Sequence, residues 1–308
     1  MFAVEIDVKG IPVISTFPWR IGIVLSMAFP QVMKDSDFEK AVEYVVSDQF
    51  FDEIELHIVS RELWDKVKPK LDERGIEVYA ALQPHILREG LNLNSLNEDE
   101  RRRSLKRLKE LIEEAHAREL KVVAICSGKD PGPDNRAKAL EALKESIKEL
   151  CEFSKERGIH VLLETFDRDH DKKLLLGPLE EAASLMREVR KSYSNVGLLW
   201  DLSHAPLLNE KPDDLFKYQD VLEHIHLGCA KRVDERLLDT HPVFYTPGAI
   251  NDVHAVKKLI SVLKSMNYQG IITLEVKPEE HQTSLEIVNA AKGVVMHAYQ
   301  LYLRETLS

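Results

Sequence analysis

Little in this sequence of 308 residues would take it into a membrane, onto nucleic acid or out of a reducing compartment. No uncharged apolar run reaches the roughly 18 residues that a spanning helix needs, so no membrane span is expected. The first residues, Met1-Phe2-Ala3-Val4-Glu5-Ile6-Asp7, put acids where a signal peptide carries bases and then an apolar stretch. Cysteine is scarce: Cys126, Cys151 and Cys229 are far apart, which fits a reducing cytosol better than a disulfide framework. A cytoplasmic location is therefore expected. Bases are outnumbered, 42 against 52 acids, and the net charge of −10 repels phosphate backbones and argues against a nucleic-acid partner. A G-x-G-x-x-G phosphate loop is missing. The place after the first strand holds Ser26-Met27-Ala28-Phe29-Pro30, which speaks against an open dinucleotide-binding sheet.

What is present is ample apolar material, 44% of the chain, and an alternation of strand and helix signals along nearly all of it. Strand runs are read at residues 20–25, 51–58, 77–82, 121–126, 160–164, 196–201, 223–227 and 270–275. Helix signals fall between them. Ser36-x-x-Glu39, Ser95-x-x-Glu98 and Thr283-x-x-Glu286 have capping-box spacing, Gly75 and Gly158 follow helix ends, Pro178 suits a first turn and a short helix is read from Asp213. Charged residues, 31% of the chain, lie mostly in mixed-sign runs such as 98–118, the mark of solvated helix faces. Eight strand–helix units close a (β/α)8 TIM barrel, for which about 250 residues suffice. The expected architecture is α/β, one barrel domain over 19–308 after a short N-terminal extension over 1–18 that forms a small hairpin around Lys9-Gly10.

Four of the later runs stop on a metal-ligand type: His160 to Glu164, Val196 to Asp201, Leu222 to His226 and Ile271 to Glu275. At the C-terminal ends of successive parallel strands, Glu164, Asp201, His226 and Glu275 would converge where barrel enzymes do their chemistry. Three carboxylates brought together out of water repel one another unless a cation sits among them. Separate salt bridges would compensate one such acid more easily than a series of strand ends. Three carboxylates and one imidazole make a fairly hard site, favouring Mn2+ or Mg2+ with Co2+ or Zn2+ as alternatives. Glu55 alternates with Glu53 and His57, opposite Ile54, Leu56 and Ile58, and so faces either a substrate hydroxyl or a salt-bridge partner. His85, just past the third strand, is a candidate pocket residue. Trp19, Phe29 and Trp200 are candidates for an apolar wall against a sugar, or for packing, and Cys229 reads as a packed thiol.

Leu163-Glu164-Thr165, Trp200-Asp201-Leu202-Ser203-His204, His224-Ile225-His226-Leu227-Gly228 and Thr273-Leu274-Glu275 carry a resemblance. Over residues 20 to 303 the chain resembles the xylose-isomerase-like barrel superfamily of sugar isomerases and epimerases, inosose dehydratases and the endonuclease IV group. Its tagatose-3-epimerase-like members imply that Glu164, Asp201, His226 and Glu275 hold one divalent ion, usually Mn2+. They also imply that Glu164 and Glu275 serve as acid and base, and that His204 contacts the substrate's oxygens. Asp239-Thr240-His241 with Pro247-Gly248 resembles the loop that closes over the substrate, which places His241 there as well; Ala249-Ile250 replaces the usual second glycine.

The implied activity is a metal-dependent ketose isomerase or epimerase, acting on a small sugar or polyol by proton transfer beside a polarised carbonyl. Homo-oligomers are common in this superfamily, so a homo-oligomer is implied. An abasic-site endonuclease is a rival, because His85, His204 and Asp239-x-His241 stand where its additional zinc ligands would be. Against it, Ile125-Cys126-Ser127-Gly128 ends the fourth strand where that group has a histidine, and the chain is acidic. Dehydration of a cyclic polyol ketone would use the same site and the same enolisation. A sugar-binding barrel without catalysis is a third alternative, disfavoured by the presence of both glutamates.

Overall fold

The computed structural model describes residues 2–34 and 37–307. The chain opens with an antiparallel hairpin, β1 (Ala3–Val8) and β2 (Ile11–Thr16), with Val8 opposite Ile11. Its two-residue turn, Lys9-Gly10, has both residues at positive φ (56° and 84°), the turn hand that matches the twist of a strand pair. The hairpin is not loose. Phe2 stacks on Phe17 at 4.8 Å, Tyr299 meets Phe17 edge-on at 5.2 Å, and the Tyr299 hydroxyl donates to Thr16 O.

Strands and helices then alternate. β3 (Ile21–Val24) leads through α1 (Leu25–Ala28) and a 3-10 turn (Pro30–Lys34) to α2 (Phe38–Asp48). Next come β4 (Glu53–Leu56), α3 (Arg61–Arg74), β5 (Glu77–Ala81), α4 (Gln83–Glu89) and α5 (Glu98–Ala117). β6 (Val122–Cys126), α6 (Pro133–Lys155), β7 (His160–Glu164) and α7 (Leu179–Arg190) follow. β8 (Val196–Asp201) precedes α8 (Ala205–Leu208) and a second 3-10 turn (Pro212–Lys217). β9 (Leu222–Leu227), a small hairpin of β10 (Lys231–Val233) and β11 (Arg236–Leu238), α9 (Val253–Ser265), β12 (Ile271–Leu274) and α10 (Ser284–Leu307) complete the chain.

β3 through β9 lie side by side in sequence order, and β12 pairs with both β9 and β3, so eight parallel strands close on themselves. This is a single-domain (β/α)8 TIM barrel, as the strand count predicts. Local chemistry sets the element ends. Gly75, at φ 65°, terminates α3, and Thr283 and Glu286 exchange backbone bonds in a full capping box before α10. The expected Ser95 cap is shifted: Asn97 caps α5 by accepting from Glu100 N. Ser36 of the other expected box lies outside the described residues. The helix expected from Asp213 is a 3-10 turn.

Side chains that alternate outward from the strands pack under the helices. Inside, an apolar plug of Ala124, Leu162 and Leu199, with Tyr79 and Val122 against it, fills part of the lumen. The rest of the lumen is polar.

Candidate metal centre

Strand alternation and register decide which side chains meet. On β4, Ile54 and Leu56 go to the outer core while Glu53 and Glu55 point into the lumen, both fully buried. Asp201 on β8 lies beside His226 on β9 in register, and His226 lies beside Thr273 on β12. Glu275 follows Thr273 by two residues and so shares its face. Glu164, ending β7, pairs with Leu199, two residues before Asp201.

Glu164, Asp201, His226 and Glu275 therefore converge, each offering a ligand atom within 4.8 Å of the others. His226 Nδ1 is 2.8 Å from Glu275 Oε2 and 3.6 Å from Glu164 Oε1. His241 Nε2 stands 3.1 Å from Asp201 Oδ2 and 3.4 Å from Glu275 Oε2. Ser203 donates its backbone N–H to Asp201 Oδ1 at 2.7 Å, leaving that carboxylate fixed. Glu164 Oε2 accepts from Gln83 Nε2 at 2.8 Å, while its Oε1 is buried with no hydrogen-bond partner. A buried carboxylate oxygen without a donor, facing an imidazole nitrogen and two more carboxylates, is chemistry that a divalent cation fits.

Burial opposes charge on His226, yet Glu55 and Glu275 outweigh it and hold the imidazole well above its ordinary pKa. Burial raises Glu164. Burial acts in the same sense on Glu275, but His241 and His226 overcome it and keep that carboxyl well below the usual range. The two glutamates are thus driven in opposite directions by their surroundings.

Beneath the quartet runs a second polar layer. Glu55 Oε1 is 2.9 Å from His226 Nε2 and 2.8 Å from His224 Nε2. His224 Nε2 also lies 3.0 Å from Thr273 Oγ1, which donates to Glu53 Oε2 at 2.8 Å. Gly22 makes room for it: a Cβ there would fall 1.7 Å from Glu53 Oε2 and 2.5 Å from Thr273 Oγ1. Beside the quartet, His204 Nδ1 donates to Thr165 O at 2.7 Å, and its Nε2 lies 3.3 Å from Asp239 Oδ1. Asp239 and Asp201 overcome burial and lift the His204 pKa to about 10. His241 Nδ1 is 3.2 Å from the same Asp239 oxygen, and Asp201, His204 and His241 form a second cluster of donors.

Above the quartet opens a cavity of about 380 Å3, with Glu164, His226, Glu275 and His241 on its floor and Phe166, Met27, Pro84 and Leu87 on its apolar sides. The sequence-predicted residues distribute unevenly around it. His241 lines the cavity as expected. His204 is 1% exposed and lies behind Phe166, with ring centroids 4.6 Å apart, so its contact with substrate oxygens would be indirect. Glu55 also lines the cavity: its Oε1 meets two histidines, while its Oε2 is buried with no hydrogen-bond partner among the described residues. His85 requires correction: it sits on α4 facing Glu89 at 3.0 Å and does not line the cavity, because the helix turns Gln83 and Leu87 inward instead. The aromatic wall is also different. Trp19 donates to Tyr268 O, Trp200 donates to Glu210 and Phe29 packs near Tyr44, so Phe166 alone of the phenylalanines and tryptophans lines the cavity among the described residues. Burial raises the Cys229 thiol, which is packed as expected. Asp239, named with His241 in the loop motif, lines the cavity too, whereas Gln83, Lys172, Arg88 and Lys277 were not signalled by the sequence pattern.

A closed parallel barrel whose strand ends gather acid and imidazole donors is an enzyme architecture. The xylose isomerase-like TIM barrel family model matches residues 40–291, and the chain belongs to that family. No curated protein matches the sequence. Among solved structures, D-psicose 3-epimerase with D-tagatose from Clostridium cellulolyticum aligns with TM-score 0.67 and 16% identity, covering 94% of this chain and 99% of that one. An IOLI protein with a bound zinc atom aligns with TM-score 0.70 and 15% identity, over 92% and 99%. AP endonuclease, family 2, from Brucella melitensis aligns with TM-score 0.65 and 20% identity, over 88% and 96%. At such identities these likenesses establish the fold. Among the described residues no helix is long and apolar enough to cross a membrane.

Proposed function

We propose that this protein is a divalent-metal-dependent ketose isomerase or epimerase. The observation that carries the reading is the convergence of Glu164, Asp201, His226 and Glu275 within 4.8 Å, with Glu164, His226 and Glu275 on the floor of a cavity. Mn2+ suits three carboxylates and one imidazole, with Mg2+, Co2+ and Zn2+ as alternatives. An ion bound there would polarise a ketose carbonyl and its neighbouring hydroxyl and so acidify the hydrogen on the carbon between them. Glu164 and Glu275 stand on strands three places apart around the barrel, so they approach a sugar from different sides. One takes the carbon-bound proton. The other, itself protonated, delivers a proton to the opposite face for an epimer or, with the hydroxyl proton passing to the former carbonyl oxygen through an enediol, to the adjacent carbon for an isomer.

The remaining residues take supporting roles in this reading. His241 lines the cavity and donates toward substrate oxygens. Glu55 holds His226 Nε2 and so directs Nδ1 at the ion, as carboxylates commonly do behind metal-bound histidines. His204 steadies Asp239 and Asp201 from behind. Neighbours that are sugar epimerases support a small sugar substrate.

Metal content by elemental analysis, followed by deuterium exchange beside the carbonyl for a panel of ketoses in deuterated water, tests the proposal. A chain without bound metal, or with metal and no exchange on any ketose, overturns it. The Asp201, His204 and His241 cluster favours one second reading, phosphodiester hydrolysis with more than one ion. More than one ion per chain with cleavage of an abasic duplex would establish that alternative. Loss of water from a cyclic polyol ketone would instead mark a lyase on the same site.

A further inference from the structure

The cavity that holds Glu164, His226 and Glu275 on its floor carries Arg88 and Lys277 at its mouth. Both side chains are exposed, and neither has a hydrogen-bond or ion-pair partner among the described residues. Two other cations, one beside α4 and one on the cavity wall, are by contrast paired with acids. Arg107 reaches Glu89 at 2.9 Å, and Lys172 lies 3.0 Å from Asp171 and 3.3 Å from Asp239.

The nearest acids in sequence are already committed. Glu89, beside Arg88, faces Arg107 and His85, and Glu279, two residues past Lys277, faces Lys231. The floor carboxylates are met by Gln83, His226 and His241, and neither mouth cation approaches them. Balancing the floor therefore does not explain the two cations. In a chain of net charge −10, two uncommitted positive groups on one cavity rim mark a place for an anion.

Their position along the chain adds a length. Gln83 touches the floor, and Arg88 lies five residues further along the same helix, about 7.5 Å of rise. Lys277 follows the floor residue Glu275 by two residues, about 6.6 Å of extended chain. Both cations thus line the same cavity as the floor residues and follow them along the chain by lengths comparable to a sugar's carbon chain. Guanidinium and ammonium groups together suit a phosphate ester or a carboxylate.

We infer that the substrate carries an anionic group at the end remote from its carbonyl, and that Arg88 and Lys277 receive it; this rests on the ketose reading above. Three probes separate the sources of charge on the Mn2+-loaded protein: D-fructose, D-fructose 6-phosphate and D-fructuronate. Binding by calorimetry and deuterium exchange by NMR are read for each. An anionic probe is expected to bind at least about tenfold tighter than the neutral sugar. Arg88→Met and Lys277→Met, both exposed and harmless to the fold, are each expected to cut that preference about three- to tenfold, while Mn2+ affinity and D-fructose binding stay unchanged. The phosphate or the carboxylate probe showing the preference identifies the group. Equal binding of all three probes, or a preference untouched in the double variant, overturns the inference. Exchange that proceeds without regard to charge sinks this inference alone, whereas failure of metal to bind or of every probe to exchange sinks the ketose reading.

Discussion

Glu275→Gln keeps the shape and removes the charge of a side chain that is 13% exposed and lies 2.8 Å from His226. In the wild type, charged carboxylates 4.8 Å apart repel by about 3.5 kcal/mol per pair at an effective dielectric near 20, and a bound divalent ion would offset that. Metal that binds only the folded state stabilises it by about 2.7 kcal/mol at a hundred times Kd. Over 308 residues the unfolding entropy is about 0.65 kcal/mol/K, so Mn2+ at that level should raise Tm by about 4 °C. Glu275→Gln removes one of the four proposed donors and one of the two proposed proton carriers. Its Mn2+-induced shift should shrink below about 1 °C at the same metal concentration, and ketose turnover should vanish, while circular dichroism remains native. The assay is differential scanning calorimetry on chelator-treated protein with and without Mn2+, paired with deuterium exchange. A wild-type-sized shift in the variant, or appreciable exchange from it, would show that Glu275 neither binds the ion nor moves the proton.

Three further outcomes test separate parts of the structure. Glu55→Gln should weaken Mn2+ binding about 10- to 100-fold by calorimetry with an unchanged fold, because His226 Nε2 loses its charged acceptor; an unaltered Kd would remove Glu55 from that role. Gln83→Ala leaves a buried Glu164 oxygen without its donor and should cost metal-free protein about 1–3 kcal/mol in urea unfolding, with no loss expected only if the contact is not formed. Gly22→Ala forces a Cβ against Glu53 and Thr273 and should destabilise by about 1–3 kcal/mol; a neutral result would mean that Glu53 does not occupy the lumen there.

Much of this molecule is legible in its sequence because a buried parallel strand leaves a simple trace. The run from His160 to Glu164 is apolar until its last residue, and alternation fixes which face that residue takes. The same logic places Asp201, His226 and Glu275, and closure of eight strands brings them together. It also put Glu55 in the lumen, but not its partners, since His224 and His226 lie 169 and 171 residues away and only barrel closure joins them. Gln83 and Arg88 were silent for a different reason. They lie on α4, a seven-residue helix too short to show a period, and His85 is the more conspicuous residue there although it faces Glu89. The Asn97 cap shows the limit of motif spacing: Ser95-x-x-Glu98 fits the pattern, yet Ser95 bonds Glu100 and the helix starts later.

The apolar plug formed by Ala124, Leu162, Leu199, Tyr79 and Val122 has a kinetic consequence for any reaction above it. Because that part of the lumen is stoppered, a small molecule that arrives through the mouth meets packed apolar side chains below and would leave by the door it used. Reactant and converted sugar then contend for the same doorway, and accumulated product should act as a simple competitor of fresh reactant.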